Sequence, residues 1–371
     1  MDYTSLARTV FDVSVRLQSE HRVWIHCWDD SLEMASHLAE AARRRGSPVV
    51  LTVQPEEVWL RSILEMPPKA SGVVPPHAAA ALAETDVYVF ALGPPAPIPW
   101  EEIPKERRRT VSVWLDTRYD RSAFAQRWAR LAKARRVRMI GIEATLATPK
   151  RAAALGIDFA TWRKVMFDGC AVDYRIVARR ARNLAALLAR PGTVEITTPH
   201  GTALRFTLDR RAVEVSDGIA TKAKAVEGRV TYLPAGYVEV TADENTAEGK
   251  VVLNVPIHAR TGSVEDLALL LKGGRLTEFA ARKGERLFRS YLLDGKGDVD
   301  RFGFFGLGLN PRLKYGCTQD DKVLGGVTIG LGDNRGKGGQ NRAGAEWWGC
   351  MTGATVKIGP RTIMARGRLR A

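Results

Sequence analysis

The sequence DDKVLGGVTIGLGDNRGKGGQNRAGAEWWGCM, residues 320–351, decides the fold of the C-terminal half of this chain. Its glycines form a regular framework, with LGxVxIxLGDN from Leu324 to Asn334 and GGxxRA from Gly338 to Ala343. Short runs of β-branched and apolar residues between glycines are typical of strands joined by tight turns. We therefore expect this region to belong to a β-rich domain.

Two upstream segments carry related patterns: LPAGYV, from Leu233 to Val238, and FFGLGLNP, from Phe304 to Pro311. In this order, the three blocks resemble the C-terminal core of the metallo-aminopeptidases related to aminopeptidase T. They resemble even more the branch of that family typified by 2,5-dihydroxypyridine dioxygenase. The resemblance extends from about Thr193 to the C-terminus, and it implies an aminopeptidase T-like fold of two domains.

The resemblance implies a metal site at five positions, where this chain has other residues. Family members have glutamates at the positions of Tyr237 and Phe304, a histidine at that of Thr328, and a His-x-Asp pair at those of Glu346 and Trp348. All six histidines of the chain precede residue 259, so no shift of the comparison brings one here. A catalytic zinc or iron needs at least three imidazole, thiolate or carboxylate ligands, and only Glu346 qualifies. We expect no metal.

The side chains at these positions suggest two outcomes: the rings plug the former metal cavity, or they line a pocket for a planar ligand or a peptide side chain. Glu346 and Tyr237 are the catalytic candidates. A carboxylate among aromatic rings is desolvated, so its pKa rises and it can exchange a proton, while a tyrosine hydroxyl can donate a hydrogen bond. The candidates for substrate binding are Phe304, Thr328, Trp347, Trp348, Arg335 and Arg342.

Two ordinary alternatives apply to the same residues. Glu346 can form a structural ion pair with Arg335, Lys337 or Arg342. Trp347 points away from the site if the segment is a strand, because successive side chains of a strand point to opposite faces.

The chain is basic, with 56 Lys and Arg against 41 Asp and Glu and a net charge of +15. Such an excess attracts nucleic acid, acidic peptides or acidic partner proteins, although arginines on helices are commonly just a solvated face. No RNA-recognition, zinc-finger or helix-turn-helix pattern accompanies the basic clusters. An acidic partner or substrate is therefore favoured over nucleic acid. The clusters are at residues 43–45, 107–109, 135–138 and 179–182.

The cysteines and the hydropathy pattern indicate the compartment. The four cysteines, Cys27, Cys170, Cys317 and Cys350, have no CxxC spacing, which is typical of reduced and mostly buried thiols. No apolar run is long enough to cross a bilayer, and the N-terminus does not begin a signal peptide. We expect a cytoplasmic protein without a membrane partner. No GxGxxG or phosphate-binding loop is present, so no nucleotide cofactor is indicated.

The length of 371 residues favours two domains. In residues 1–190, short apolar runs alternate with helical segments, which predicts an open, mostly parallel α/β sheet. The expected strands include Val23–Trp28 and Thr110–Leu115. A long helical stretch, Phe159–Arg190, ends the first domain, and residues 191–371 form a β-rich α+β domain that carries the five positions.

Three functional hypotheses follow. The first is a metal-independent member of the family that binds a peptide or a small planar aromatic compound, and cyclises or hydrolyses it in a specialised tailoring pathway. The second is a non-catalytic partner subunit of an active paralogue, since the family forms dimers and this chain would form a homodimer or a heterodimer. The third, ranked last, is a metallo-aminopeptidase with relocated ligands.

Overall fold

The computed structural model describes residues 2–67, 73–108, 123–259 and 262–370, and the chain folds into two compact units. Unit 1 comprises Met1–Ala154, Asp158–Tyr174 and Gly218–Pro234, and unit 2 comprises Leu155–Ile157, Arg175–Asp217 and Ala235–Ala371. This division differs from a single boundary at residue 190, because the chain returns to unit 1 at residue 218 to add one more strand to its sheet.

The strands of the described residues, in chain order, are Val23–Trp28 (β1), Val49–Gln54 (β2), Val87–Ala91 (β3), Arg138–Ile142 (β4), Gly192–Thr197 (β5), Ala203–Leu208 (β6), Val213–Ser216 (β7), Val230–Leu233 (β8), Tyr237–Val240 (β9), Glu248–Leu253 (β10), Ile257–Ala259 (β11), Gly262–Val264 (β12), Leu267–Lys272 (β13), Arg275–Ala280 (β14), Phe302–Gly308 (β15), Val327–Gly332 (β16), Glu346–Met351 (β17), Thr355–Ile358 (β18), Arg361–Ala365 (β19) and Arg368–Leu369 (β20).

The α-helices of the same residues are Tyr3–Arg8 (α1), Leu32–Arg44 (α2), Glu56–Glu65 (α3), Pro76–Ala83 (α4), Lys105–Arg108 (α5), Ala123–Ala134 (α6), Pro149–Leu155 (α7), Phe159–Cys170 (α8), Tyr174–Leu188 (α9), Lys222–Glu227 (α10) and Glu285–Asp294 (α11). A π-helical turn covers Thr9–Ser14, and 3₁₀ turns cover Asp29–Ser31, Glu143–Leu146, Asp320–Lys322 and Arg335–Lys337. None of these helices is long and apolar enough to span a membrane.

Unit 1 is built on a parallel sheet with the strand order β2-β1-β3-β4-β8, which confirms the predicted α/β class. Its core is aromatic: the rings of Trp24, Tyr88 and Trp128 pack on one another with centroids 5.2 to 5.6 Å apart. Burying such large rings stabilises a domain strongly. The expected strand Thr110–Leu115 lies outside the described residues, and β8 comes from a segment assigned to the other domain.

The stretch Phe159–Arg190, expected as one helical segment, is two helices, α8 and α9. The chain leaves the helical conformation at Ala171, one residue after α8 ends. Gly169 is a poor helix former, and its carbonyl oxygen accepts a hydrogen bond of 2.8 Å from the Tyr174 hydroxyl. This side-chain bond stabilises the break between the helices.

Unit 2 is built on antiparallel sheets, as predicted for the β-rich half. One sheet has the order β14-β13-β10-β6-β5-β18-β19-β20, a second has the order β17-β16-β15-β9-β7, and β11 and β12 form a hairpin. Phe206 of the larger sheet contacts Phe302 and Phe305 of the five-stranded sheet, with ring centroids 5.0 and 5.5 Å apart. One face of the five-stranded sheet is therefore buried in the core of unit 2. Its other face carries the five positions singled out in the sequence, namely Tyr237, Phe304, Thr328, Glu346 and Trp348.

Candidate functional site

Alternation along β16 and β17 places three of the five positions on one face of the five-stranded sheet. Thr328 pairs with Cys350, Gly330 pairs with Trp348, and Gly332 pairs with Glu346. Alternate residues of a strand share a face, so Thr328, Trp348 and Glu346 lie on the same side.

The neighbouring strands bring the other two positions to this face. On β15, Phe304 pairs with Gly330, and on β9, Tyr237 pairs with Gly308. Glu239, two residues beyond Tyr237, pairs with Gly306 and so lies on the same face. We call this side of the sheet the β9–β17 face.

Two glycines make room for the large side chains on the β9–β17 face. A Cβ atom on Gly330 would stand 2.0 Å from the Phe304 ring, and one on Gly306 would stand 2.9 Å from Cγ of Glu239. Phe304 and Glu239 therefore lie flat across neighbouring strands, and both are buried.

We expect Gly330→Ala to lower the free energy of unfolding by about 2 kcal/mol, because the fully buried Phe304 ring cannot move away without displacing its neighbours. Gly336→Ala is the matched control, since a Cβ there meets nothing within 4 Å. Urea denaturation of both variants checks the prediction, which would be wrong if the two were equally stable.

A buried ion pair lies at the centre of this face. Nζ of Lys337 donates a hydrogen bond of 2.9 Å to Oε2 of Glu239, and it stands 4.4 Å from the centroid of the Phe304 ring. The Glu239 side chain is 6% exposed and that of Lys337 is 20% exposed. Burial raises the pKa of Glu239 to about 7, although Lys337 opposes the rise.

Further carboxylates act on the same ammonium. Burial lowers the pKa of Lys337, but Glu239, Glu346 and Glu214 outweigh this effect and hold the pKa above its usual range. Glu346 is solvent-exposed, yet protein atoms crowd its carboxylate, and this partial desolvation raises its pKa against the influence of Lys337. The neighbouring carboxylates therefore favour the charged form of the Lys337 side chain.

The remaining polar groups of the face pair with one another. The Tyr237 hydroxyl donates a hydrogen bond of 2.9 Å to Oε1 of Glu214, and burial with the nearby Glu214 charge raises the tyrosine pKa. Oγ1 of Thr328 and Sγ of Cys350 are 3.4 Å apart. Burial also raises the pKa of Cys350, so this residue is a protonated thiol and not a nucleophilic thiolate.

A network around Glu244 holds the loop that carries Lys337. The Glu244 carboxylate accepts hydrogen bonds from the Arg211 guanidinium, from Nδ2 of Asn334 at 2.9 Å and from the backbone N–H of Gln340 at 2.8 Å. Asn334 also bonds the Gly303 carbonyl at 2.8 Å, which ties the loop to β15. The loop that carries Lys337 is thus anchored on both sides of this residue, at Asn334 and at Gln340.

A cavity of about 230 Å³ lies beside β17. Its polar lining includes Glu346, Asp320 and His258, and the Trp348 residue forms an aromatic part of its wall. Burial raises the pKa of Asp320 to about 7, although its carboxylate accepts a hydrogen bond from the Gly316 N–H. The other lining residues are Val255, Pro256, Ile257, Thr318, Trp347, Gly349 and Cys350.

The sequence model of the 2,5-dihydroxypyridine 5,6-dioxygenase (NicX) family matches residues 175–371, more than half of the chain. The chain belongs to this family. A structure of 2,5-dihydroxypyridine dioxygenase from Pseudomonas putida KT2440 shares the fold, with a TM-score of 0.63, 15% identity, and coverage of 100% of this chain and 96% of that one. Wild-type AmpT from Thermus thermophilus shares it too, with a TM-score of 0.67, 18% identity, and coverage of 100% and 99%. No curated protein sequence matches.

These matches confirm the resemblance to the aminopeptidase T-like family and its dioxygenase branch. They also confirm the fold, an α/β unit followed by a β-rich unit. At 15% and 18% identity, the two solved structures support the fold alone.

The side chains of the β9–β17 face do not fit the metal ion that this dioxygenase family implies. Within the described ranges, no group of three or more His, Cys, Asp or Glu residues is arranged to hold a metal. The Phe304 ring offers no lone pair, and Glu239 is already bonded to an ammonium. The donors present on this face thus differ from a metal-ligand set in their arrangement and in their partners.

The structure separates the predicted site residues of this family member into three groups. Glu346 and Trp348 border the cavity, whereas Tyr237, Phe304 and Thr328 lie on the same sheet face but are not among the residues that line it. Of the remaining predicted residues, Trp347 also borders the cavity, whereas Arg335 and Arg342 do not.

Trp347 borders the cavity, but its ring packs on α11, with centroids 5.1 Å from Phe288 and 5.4 Å from Tyr291. The Arg335 guanidinium forms an ion pair with Asp333, two residues earlier in the chain. The backbone N–H of Arg342 donates a hydrogen bond to the Asp298 carboxylate. No cation of the described chain lies within ion-pair distance of Glu346. The structural ion pair considered for this residue is therefore not formed, although Lys337 acts on it at longer range.

Sequence reasoning did not identify Glu239, His258 or Asp320 as site residues. Glu239 carried a usable signal, because a residue two positions after Tyr237 on a strand must share its face. His258 and Asp320 reach the cavity wall from segments distant in sequence, and no local pattern marks them.

Proposed function

We propose that this chain is a metal-independent member of the dioxygenase family that binds a planar aromatic compound, or an aromatic side chain of a peptide, in the cavity beside β17. Glu346 exchanges a proton with the bound ligand. The observation that carries the proposal is that a carboxylate with a raised pKa and an indole border the same cavity.

The cavity suits such a ligand in size and in lining. An apolar cavity of about 150 Å³ holds benzene, so about 230 Å³ accommodates a substituted ring. Val255, Pro256 and Ile257 supply apolar surface, and Trp348 supplies an aromatic surface for stacking. The few polar groups among them would fix the orientation of the ligand.

Glu346 is the preferred proton acceptor because it is accessible and burial of its carboxylate raises its pKa above the ordinary value. In a hydrolysis, Glu346 takes a proton from water as the water oxygen attacks a carbonyl carbon, and it returns that proton to the leaving amine. In a cyclisation, an internal amine of the substrate replaces the water. Tyr237, the other catalytic candidate, is less suited to donate a hydrogen bond to a ligand, since its hydroxyl already donates one to Glu214.

Glu346→Gln tests the catalytic part of the proposal. We expect turnover of the physiological substrate to fall at least 100-fold, because the amide cannot accept a proton, while the affinity for the ligand changes little. Glu278→Gln, at an exposed position of β14, is the control for loss of one carboxylate. Undiminished turnover in Glu346→Gln would remove Glu346 from the mechanism.

The binding part is tested with defined probes, 2,5-dihydroxypyridine and the dipeptide Phe-Ala, by isothermal titration calorimetry. We expect one of them to bind the unaltered chain, and to bind the Trp348→Ala variant roughly 10-fold more weakly because a stacking surface is lost. Absence of binding by both probes, or equal binding by both chains, would count against this use of the cavity.

A second candidate function is that of a non-catalytic partner subunit for an active paralogue, in a dimer. The pairing of polar groups on the β9–β17 face favours it, because Tyr237 with Glu214 and Glu239 with Lys337 need no ligand to satisfy them. Co-expression with a ligand-complete paralogue distinguishes the two candidates. A stable heterodimer, together with no probe binding by this chain alone, would support the partner function.

A further inference from the structure

We infer that the Lys337 ammonium takes the place of the metal ion as the fixed positive charge of the β9–β17 face. This inference goes beyond the proposed function, because it holds whether the chain is a catalyst or a partner subunit. It rests on where Nζ lies, on the charges that surround it and on the way its loop is held.

The position of Nζ is the first argument. The ammonium comes from the loop after β16 and reaches across the sheet to the Phe304 ring, which stands at a position where family members have a glutamate ligand. On the next strand it bonds Glu239, the same-face neighbour of Tyr237, another ligand position. Lys337 thus contacts the side chain at one of these positions and bonds the same-face neighbour of another.

The surrounding charges are the second argument. Glu214 on β7, Glu239 on β9 and Glu346 on β17 come from both edges and the interior of the sheet, and all three favour the charged ammonium. A metal ion gathers carboxylates in the same way, because several anions on one face need a shared cation. Here the cation is covalently attached to the chain.

The anchoring of the loop that carries Lys337 is the third argument. Gly338, directly after Lys337, has a φ of +84°, which lets the chain turn back toward β17. Asn334, three residues before Lys337, is bonded to Glu244 and to β15. A lysine side chain is flexible, and an anchored loop reduces the entropy lost when the ammonium is held in one place.

An ammonium in this place excludes a divalent cation by charge repulsion. The test uses two full-length chains in which three family ligands are restored, by Phe304→Glu, Thr328→His and Trp348→Asp. One chain keeps Lys337, and the other also carries Lys337→Met. Zn²⁺ alone is titrated into each by calorimetry, and circular dichroism confirms that both are folded.

We expect the chain with Lys337→Met to bind one Zn²⁺ roughly 100-fold more tightly than the chain that keeps the lysine. Equal affinities, or no Zn²⁺ binding by either chain, would overturn the inference. The first result would mean that the ammonium does not compete with the metal. The second would mean that the restored residues do not surround a common centre that includes Nζ.

A measurement on the unaltered chain remains decisive if the restored chains do not fold. With ¹⁵N-labelled lysine, NMR detects an ammonium only when burial and hydrogen bonding slow its exchange with water. We expect a slowly exchanging ammonium signal that persists at pH 8 and disappears in Lys337→Arg, whereas exposed lysines such as Lys150 give none. If no such signal is present, or if the signal remains in Lys337→Arg, the inference is contradicted.

Discussion

Lys337→Met should lower the free energy of unfolding by about 3 kcal/mol at pH 8, the largest effect that we expect from a single substitution on the β9–β17 face. Methionine keeps most of the aliphatic length of lysine, so the loss reflects the charge. It leaves the Glu239 carboxylate buried without a cation, and breaking one half of a buried pair typically costs about 3–5 kcal/mol. Urea denaturation monitored by fluorescence measures the loss.

The loss of stability in Lys337→Met should increase with pH. The pKa of Glu239 is raised in the folded chain, so folding becomes less favourable as the pH rises from the unfolded value of 4.5 toward about 7. Without Lys337 the folded pKa rises further, and the cost of ionising Glu239 continues to grow above pH 7. The difference between the unaltered chain and Lys337→Met should therefore be larger at pH 8 than at pH 6.

Two companion variants isolate the cause. Adding Glu239→Gln to Lys337→Met should restore much of the lost stability, because no buried charge remains. Lys283→Met is the matched control: Lys283 also lies 2.9 Å from a carboxylate, that of Glu265, but its side chain is 62% exposed. The free energy of unfolding of Lys283→Met should therefore fall by a much smaller amount. Equal losses in the two lysine variants would contradict a special role for the buried pair.

Glu244→Gln should destabilise the chain by about 3 kcal/mol at pH 7. The Glu244 side chain is 3% exposed, and its loss of charge leaves the Arg211 guanidinium, 11% exposed, without its counter-ion. The hydrogen bond from the Gln340 N–H weakens as well, because an amide oxygen is a poorer acceptor than a carboxylate. Glu285→Gln, in an exposed pair with Arg289, is the control and should change little.

The effect of Glu244→Gln should disappear in acid. Burial raises the pKa of Glu244, but the hydrogen bonds from Arg211, Gln340 and Asn334 outweigh it and lower the pKa to about 2. A depressed carboxyl pKa contributes stability that is present above the unfolded value of 4.5 and is lost as the pH falls toward the folded value. A difference between the two chains that stays constant from pH 7 to pH 3 would contradict this account.

The loop anchored by Glu244 also links the two predictions. Asn334 and Gln340 bracket Lys337 in sequence, so freeing them should let the ammonium leave Glu239. We expect Glu244→Gln to weaken the slowly exchanging Lys337 signal in the ¹⁵N-lysine experiment, which the Glu285→Gln control should leave unchanged.

The sequence was sufficient to predict which residues share the sheet face, but not that Lys337, named as a possible partner of Glu346, bonds Glu239 instead. Period-2 alternation places Thr328, Gly330 and Gly332 on one side whatever the rest of the chain does, and the same rule could have identified Glu239 from Tyr237. Lys337, by contrast, stands in a glycine-rich loop. Its partner Glu239 is 98 residues away, and no local pattern specifies that contact.

Other contacts could not be predicted from local sequence patterns, because they too join residues that are distant in the chain. Strand β8 pairs in parallel with β4, and its four residues carry no sign that they leave the β-rich half. Glu244 bonds Asn334 across 90 residues of sequence. Contacts of this kind depend on how the sheets assemble, whereas the strands themselves follow from patterns of a few residues.

The most direct test of the central claim is a crystal structure of the full-length chain grown with excess Zn²⁺, with anomalous scattering recorded at the zinc edge. We predict no zinc peak on the β9–β17 face, and Nζ of Lys337 within hydrogen-bond distance of Glu239. The claim would be contradicted by a zinc ion bound by several side-chain atoms of Tyr237, Glu239 and Glu346, with the Lys337 side chain turned away from them.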